Sequence, residues 1–345
     1  MINFLNSWWQ LEKIKQAIRR QNFSQAEKLI RFRQQQKIKL SLLEQLFLQN
    51  LNLQEKIEEK NKKLLSLEPI LKLSQKSIEP DQDFITYIEN CFKLIDHDCF
   101  KLQCTGIDTK VFESLEISLV DYLRTEINDK NLSQNQIKIE FQKAQKDLKK
   151  LKQGTDPDYN ERFSAYVYLI QYFLENIYCN YLAFFLVYRS GYFNYKLKIL
   201  DIAAGPNTML FGLNLFTQSL SNFVDISQFN FSYYSLEQQL SLQSQGSKFW
   251  RYYLNRQAQP MNVYCQFNTK DLFEYKKFKH QLPKNFFDFV VISHCFFYDD
   301  KHREQSYFIY KDIFKHCLSD QGKVLLIIQS NKLYKTFNSY PKENI

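Results

Sequence analysis

The sequence predicts an α/β fold, with a mostly parallel sheet and helices on both of its faces, that follows an all-helical N-terminal domain. Between residues 196 and 330, five apolar runs rich in β-branched and aromatic residues alternate with amphipathic helical patterns. Such alternation is typical of parallel sheets, because each crossover between parallel strands needs a helix. The first 150 residues show helical periodicity, and GTDPDYN at 154–160 has the Gly, Asp-Pro and Asn of a linker. We therefore expect two domains, residues 1–155 and 156–345.

The apolar runs locate the elements of the second domain. We expect strands near 197–202, 230–236, 262–267, 287–293 and 323–329, and helices near 208–220, 238–256 and 302–318. The aromatic stretch from Ser164 to Tyr188 carries Tyr168 and Tyr172 four residues apart. This spacing predicts a helix that packs on the core.

Composition indicates a folded protein of a reducing compartment. Of the 345 residues, 44% are hydrophobic and 24% are charged, a balance that excludes a disordered chain. The N-terminal residues lack the pattern of a signal peptide, and Gln171, Glu175 and Asn176 interrupt the most apolar window. The seven cysteines are odd in number and form no CxxC pair. We therefore expect a cytoplasmic protein with no membrane span.

One group of cysteines invites a metal interpretation. Cys91, His97, Cys99 and Cys104 lie close together in the sequence, but their spacing matches no common zinc pattern. Cys91, Ile95 and Cys99 fall at helical intervals. We expect a core-facing helix here and no metal site.

Positive charge is concentrated near the N-terminus. The formal net charge is +9, and residues 12–39 contain nine Lys or Arg residues against Glu12 and Glu27, a local balance of +7. Such a segment is a plausible footprint for RNA or for a ribosomal particle. The alternative is a solvated helix face, because no base-reading motif accompanies the charge.

The stretch ILDIAAGPN at 199–207 predicts a buried strand that turns sharply into a helix. Asp201 interrupts the apolar run, and Ala203, Gly205, Pro206 and Asn207 are small or turn-forming. Such a turn bares backbone N–H groups at a helix N-terminus and leaves room for part of a ligand. It could equally serve only to pack the helix on the strand.

Polar residues follow the other predicted strands. Glu237 ends the second strand, Asp271 follows the third, and Ser293 and His294 end the fourth. Open parallel sheets bind ligands at the carboxyl ends of their strands, where an acidic residue after the second strand can accept hydrogen bonds from ribose hydroxyls. Asp225 is the alternative acidic residue, because its distance from the turn is the more usual one. We favour Glu237, since an aromatic strand precedes it and a helix follows.

These motifs resemble those of the class I S-adenosylmethionine-dependent methyltransferases. ILDIAAGPN is similar to their first motif, and KDLF at 270–273, FFDFVVISHCFFYDD at 286–300 and LSDQGKVLLIIQ at 318–329 are similar to three later ones. GTDPDYNERFSAYVYLIQYF further resembles the methyltransferase-like proteins associated with small ribosomal subunits. Ala203 and Asn207 stand where the family pattern has glycines. Sixteen residues follow Gln329, so the seven-stranded sheet of the family is either shortened here or completed by another chain.

The resemblance implies a Rossmann-like fold, S-adenosyl-L-methionine as cofactor, and roles for single residues. Asp201, Ala203, Gly205, Pro206 and Asn207 would border its methionine part. Glu237 would bind the ribose, Asp271 the adenine, and Ser293 would lie beside the sulfonium and the acceptor.

Methyl transfer needs a held geometry, and a base where the acceptor is protonated. The candidate bases are His294, Tyr298 and Asp299, and no metal is required. A degenerate fold that serves as a binding or assembly module is the main alternative. A nicotinamide-binding dehydrogenase is disfavoured by the single glycine in the turn.

Overall fold

The computed structural model describes residues 12–17, 23–36, 40, 45, 48, 77–98, 101–152, 157–257, 261–295 and 300–328. The chain forms two compact units, residues 1–72 and residues 73–345. This division lies well before the linker at 154–160, where the sequence places the boundary. Within the described residues, no helix combines the length and the hydropathy needed to cross a bilayer.

In the first unit, helix α1 (Phe23–Gln35) carries part of the basic segment. Its buried apolar residues include Ala26 and Ile30, which are four apart and so lie on one face of the helix. Arg31 is exposed and forms an ion pair with Glu27 at 2.7 Å, whereas the Arg33 side chain is only 4% exposed. The predicted basic surface therefore does not include every cation of the segment.

The second unit begins with helices and a small hairpin. Its first elements are α2 (Gln82–Cys91), β1 (Leu94–Asp98), β2 (Lys101–Cys104), α3 (Glu113–Asn128) and α4 (Gln134–Lys152). Phe84 of α2 and Leu119 of α3 belong to the same apolar cluster as strand and helix residues beyond position 163. This shared core explains why no division into compact units occurs at the linker.

The hairpin corrects the prediction of a helix through Cys91, Ile95 and Cys99. Helix α2 ends at Cys91, and Lys93 takes a left-handed conformation with φ of 43°, which stops a helix. Strands β1 and β2 then pair antiparallel, with Leu94 opposite Cys104. Cys99 lies outside the described residues. The described part of the chain holds no group of three or more His, Cys, Asp or Glu side chains suited to a metal.

A long helical stretch follows the linker and is interrupted once. It consists of α5 (Ser164–Tyr168), a π-helical segment (Leu169–Phe173) and α6 (Leu174–Arg189). Phe173, Ile177, Tyr181 and Phe184 recur at helical spacing and are fully buried. The predicted core-packing helix is therefore present, with a change of helical pitch near its start.

Five parallel strands form the sheet, as the sequence predicts. The strands are β3 (Lys196–Ile202), β4 (Asn230–Glu237), β5 (Asn262–Thr269), β6 (Phe287–Ser293) and β7 (Leu318–Ile327). The helices between them are α7 (Thr208–Leu220), α8 (Leu240–Leu254), α9 (Tyr275–Phe278) and α10 (Asp300–Cys317), and three-residue 3₁₀ turns, Leu272–Glu274 and Lys279–Gln281, flank α9. Numbered along the sheet's own strands, the spatial order β5-β4-β3-β6-β7 is 3-2-1-4-5, which is that of a Rossmann-like sheet without its sixth strand.

The two faces of the sheet have separate cores. Ile199 and Tyr233 belong to a large cluster with residues of α2, α3 and α6 to α8. Leu200 and Ile202, the alternate residues of β3, belong to a smaller cluster with residues of α9 and α10. The sheet is thus a middle layer between helices. Its carboxyl edge, where strand order reverses at β3, remains the place for a site.

Candidate cofactor site

Strand register brings the predicted residues to one level. Ile202 of β3 lies opposite Leu236 of β4 and Ile292 of β6. Because these strands are parallel, the residues that follow, Ala203, Glu237 and Ser293, lie side by side at the carboxyl edge. They flank the point where chain order reverses, which is where crevices open in sheets of this kind.

The turn after β3 uses the left-handed backbone region three times. Ala203 and Gly205 each have φ of 54°, and Asn207, at the N-cap of α7, has φ of 63°. Glycine adopts this region freely and asparagine tolerates it, whereas alanine there costs about 1 kcal/mol. The strain of the turn is therefore at Ala203.

Glu237 ties the turn to the end of β4. Its carboxylate accepts hydrogen bonds from the Gly205 N–H at 2.6 Å and from the Gln239 N–H at 2.7 Å, and the side chain is 6% exposed. These two bonds fix the orientation of the carboxylate at the turn. Asp225, the alternative, precedes β4 in an exposed loop and is therefore at the opposite edge of the sheet.

Asp201 lies under the turn as a fully buried group. The Tyr233 hydroxyl is 2.9 Å from its Oδ2 and 3.2 Å from the Oδ1 of Asn207, whose amide nitrogen donates to Ser247 at 3.3 Å. Burial, and next the charge of Glu237, raise the pKa of Asp201 to about 8, against the opposing effect of the Tyr233 bond. The Tyr233 O–H is thus shared between an oxygen of Asp201 and an oxygen of Asn207, which ties the end of β3 to the N-cap of α7.

Helix α8 presses on the turn from one side. A Cβ on Gly246 would lie 2.2 Å from the carbonyl oxygen of Pro206, so only glycine permits this approach. Gly205, Pro206 and Asn207 are all buried. Of the turn residues, Ala203 is half-buried and retains some exposed surface.

Asp271 follows β5, next to Glu237. The Lys270 N–H donates to the Glu237 carbonyl oxygen at 2.8 Å, which places Asp271 beside the end of β4. Its carboxylate caps the 3₁₀ turn Leu272–Glu274 by accepting from the Phe273 N–H at 2.9 Å. Asp271, which the sequence predicts to bind the adenine, thus also has a local structural role.

The residues predicted to lie beside the methyl acceptor are at the end of β6, the fourth predicted strand. Ser293 is half-buried, and its hydroxyl oxygen has no hydrogen-bond partner among the described residues. His294 has φ of 59°, and its backbone N–H donates to the Ile327 carbonyl oxygen at 2.9 Å. This hydrogen bond fixes the turn after β6. Tyr298 and Asp299 lie outside the described residues.

Two groups at this edge are absent from the predicted site. Gln243 links Ser235 and Thr269, the ends of β4 and β5, through hydrogen bonds of 3.1 Å and 2.6 Å. The Tyr168 hydroxyl lies 3.8 Å from where a Cβ on Gly205 would be. The i, i+4 pair Tyr168 and Tyr172 is visible in the sequence, but its spacing does not reveal which ring reaches the turn.

Comparison with known proteins yields solved structures only, since no protein-family model and no curated protein matches the chain. The chain is similar to a protein from Methanococcus maripaludis that is described as an S-adenosyl-L-methionine-dependent methyltransferase. The identity is 17% and the TM-score is 0.30, and the match covers 46% of this chain and 58% of that one. It is similar to a SAM-dependent methyltransferase from Archaeoglobus fulgidus (18% identity, TM-score 0.26, covering 45% of this chain and 56% of that one). It is also similar to the plantazolicin methyltransferase BpumL in complex with SAH (15% identity, TM-score 0.30, covering 48% of this chain and 52% of that one).

This chain thus spans between half and two thirds of the length of those proteins. The strand order and the alternation of strands and helices establish the Rossmann-like fold independently of these matches.

Proposed function

We propose that residues 73–345 bind S-adenosyl-L-methionine at the carboxyl edge of the sheet and transfer its methyl group. The observation that carries this proposal is the Glu237 carboxylate, held by the Gly205 N–H beside a triply left-handed turn at the strand-order reversal. An anion held in this way is complementary to a ribose, because both ribose hydroxyls can donate to it. The family resemblance of the four strand-end motifs agrees with that ligand.

In this proposal the cofactor lies along the strand ends. The Ala203–Asn207 turn borders the methionine part, Glu237 binds the ribose and Asp271 the adenine. Ser293, whose hydroxyl has no partner among the described residues, would lie on the side of the sulfonium and the acceptor. Asp201 acts from below, through Tyr233 and Asn207, by holding the turn in shape.

Methyl transfer from a sulfonium is an in-line displacement, for which a held geometry can supply roughly 7–11 kcal/mol. An acceptor that carries a proton needs a base as well, and we propose His294, Tyr298 and Asp299 as the candidates. His294 is fixed at the backbone by Ile327, so its ring has a defined origin at the end of β6.

A non-catalytic binding or assembly module is the second candidate. The observation that favours it is that Glu237 and Asp271 both already bind backbone N–H groups of the chain itself, while α8 covers Pro206. Under this alternative these contacts maintain the fold and no cofactor binds.

Isothermal titration of the full chain with S-adenosylhomocysteine, the demethylated cofactor, separates the two candidates. We expect saturable binding that Glu237→Gln weakens about 10- to 100-fold, because the neutral amide loses one or two charge-assisted hydrogen bonds to ribose. Asp225→Asn, at the opposite edge, is the matched control and should bind like the wild type. Unfolding midpoints without ligand verify that both variants fold.

If the wild type does not bind S-adenosylhomocysteine, the proposed function fails and the non-catalytic module is favoured. Binding of NADH in place of the adenosyl compound would favour the dehydrogenase alternative.

We further propose that the acceptor is RNA or a ribosome-associated molecule, reached through the basic segment near the N-terminus. The charge balance of +7 over residues 12–39 supports it. We also propose a cytoplasmic location, which agrees with the six cysteines of the described residues, since none of them is in a disulfide.

A further inference from the structure

The Tyr168 side chain is brought to the turn by the helical stretch that precedes the sheet. Tyr168 is the last residue of α5, and the π-helical segment Leu169–Phe173 begins directly after it. A π turn contains one residue more than an α turn, so it rotates the helix faces before and after it relative to each other. This arrangement lets Phe173 and later residues stay in the core while Tyr168 reaches Gly205.

The Tyr168 hydroxyl lies directly over the turn. It is 3.8 Å from the position that a Cβ on Gly205 would occupy, an ordinary van der Waals distance. The flanking residues Val167 and Leu169 are at most 1% exposed, whereas Tyr168 is only half-buried. The Tyr168 ring packs against the large apolar cluster, and its hydroxyl extends beyond that contact to the turn.

Hydrogen bonding gives the Tyr168 hydroxyl a direction. The side-chain amide of Asn176, which is 8% exposed, donates to the Tyr168 oxygen at 3.3 Å. Since a phenol oxygen that accepts from an amide still carries its own hydrogen, the O–H of Tyr168 remains a donor. Burial, and next the charge of Glu237, raise the pKa of Tyr168, so that this proton stays on the oxygen.

Two groups of opposite chemistry therefore lie beside Gly205. Glu237 offers an anion, which suits ligand hydroxyls, and Tyr168 offers a neutral donor, which suits an acceptor or an anion. We propose that the Tyr168 hydroxyl binds the carboxylate of the amino-acid end of the adenosyl cofactor, over Gly205. This inference rests on the proposed function and adds to it a residue that distinguishes adenosyl amino acids from simpler adenosine thioethers.

Two ligands test this assignment. S-adenosylhomocysteine carries the amino-acid end, and 5′-methylthioadenosine lacks it but keeps the adenosine and the sulfur. In titrations of the full chain we expect Tyr168→Phe to lower the affinity for S-adenosylhomocysteine roughly tenfold, the effect of one charge-assisted hydrogen bond. The same variant should leave the affinity for methylthioadenosine unchanged.

Tyr172→Phe is the matched control, because its ring stacks near Tyr168 at a centroid distance of 5.3 Å. It should bind both ligands like the wild type. Asn176→Leu removes the amide that orients Tyr168 and keeps the side-chain volume, so it should show a smaller loss for S-adenosylhomocysteine alone. This variant also serves where Tyr168→Phe does not fold.

Equal losses for both ligands, or no loss for S-adenosylhomocysteine, would overturn the assignment while the proposed function stands. If the wild type binds neither ligand, the proposed function fails first.

Discussion

Asp201 and Glu237 are neighbouring buried carboxylic acids, and their environments give them different chemistry. Glu237 accepts two backbone N–H hydrogen bonds, which favour the charged form of an acid. Asp201 has a single phenol as its neighbour, and its other oxygen has no partner among the described residues. Burial therefore dominates at Asp201 and raises its pKa to about 8. One residue is suited to bind a ligand and the other to hold the turn.

The raised pKa of Asp201 predicts a pH dependence of stability. The folded state binds the proton more tightly than the unfolded chain, whose Asp has a pKa near its ordinary value of about 4. The contribution of Asp201 is therefore fully present below about pH 4 and is lost as pH rises towards about 8. In Asp201→Asn this contribution should disappear, because the amide stays neutral at every pH and its oxygen can still accept from the Tyr233 O–H.

Urea unfolding at several pH values between about 5 and 8 measures this contribution as the difference between the wild type and Asp201→Asn. We expect the wild type to lose stability relative to the variant as pH rises. A difference that stays constant over this range would mean that Asp201 is ionised throughout. Asp225→Asn, at an exposed loop residue, is the control and should leave the profile unaltered.

At the scale of elements, the contact between α8 and the turn decides how closely the layers approach. Gly246 is buried in the middle of α8, where glycine is an unfavourable residue for a helix. Its absence of a side chain lets the Pro206 carbonyl group pack against the helix. The helix thus loses some intrinsic stability, and the turn is held on its buried side.

Gly246→Ala tests this packing, because helix propensity and packing predict opposite signs. Alanine would stabilise an exposed helix by about 1 kcal/mol relative to glycine. At Gly246 its Cβ would lie 2.2 Å from the Pro206 oxygen, so the backbone must shift. We expect a net destabilisation of about 1–3 kcal/mol, measured by urea unfolding. Ser241→Ala, an exposed position of the same helix, is the control, and stabilisation of both variants would refute the contact.

The sequence predicted the regular elements closely and the irregular ones poorly. Helix α7 spans Thr208–Leu220 as expected, and four of the five strands begin within one residue of the predicted position, because buried parallel strands form continuous apolar runs. The hairpin after α2 depends on a left-handed Lys93, and the π-helical segment on packing against α7. Neither has a pattern in the local sequence that would reveal it.

At the scale of the whole molecule, the basic segment belongs to the compact unit of residues 1–72, and the proposed cofactor site belongs to the unit of residues 73–345. The RNA binding and the cofactor binding that we propose are therefore assigned to different units. Arg31 is exposed, Arg33 is buried, and Arg19 and Arg20 lie outside the described residues. Exposed cations are the ones that can bind phosphate.

We predict that the chain binds single-stranded RNA with an affinity that falls steeply between about 50 and about 200 mM salt. Reversal of Arg19, Arg20 and Arg31 to Glu should weaken binding at least roughly tenfold and flatten the salt dependence. Fluorescence anisotropy with a labelled oligonucleotide measures both effects. Reversal of the exposed Lys138, Lys146 and Lys149 on α4 makes the same charge change elsewhere and should have a smaller effect. Equal losses in the two variants would indicate a response to net charge only.

The sequence could locate those residues of the candidate site that directly follow a predicted strand. Glu237, Asp271 and Ser293 could be placed because each follows an apolar run, and the choice of Glu237 over Asp225 depends only on where β4 begins. The burial of Asp201 beneath Tyr233 and the reach of Tyr168 depend on side chains from separate elements. Such tertiary relations have no fixed spacing along the chain, so one sequence does not reveal them.

The common core of helices α2 and α3 with the sheet limits where the chain can be divided. Phe84 and Leu119 are each at most 4% exposed and pack within the cluster that includes Phe216 and Phe249. A fragment that begins at residue 156 would leave the partners of these side chains in water and would be prone to aggregate. Protein engineers who want the Rossmann-like part alone should begin the fragment near residue 73, where the compact unit itself begins.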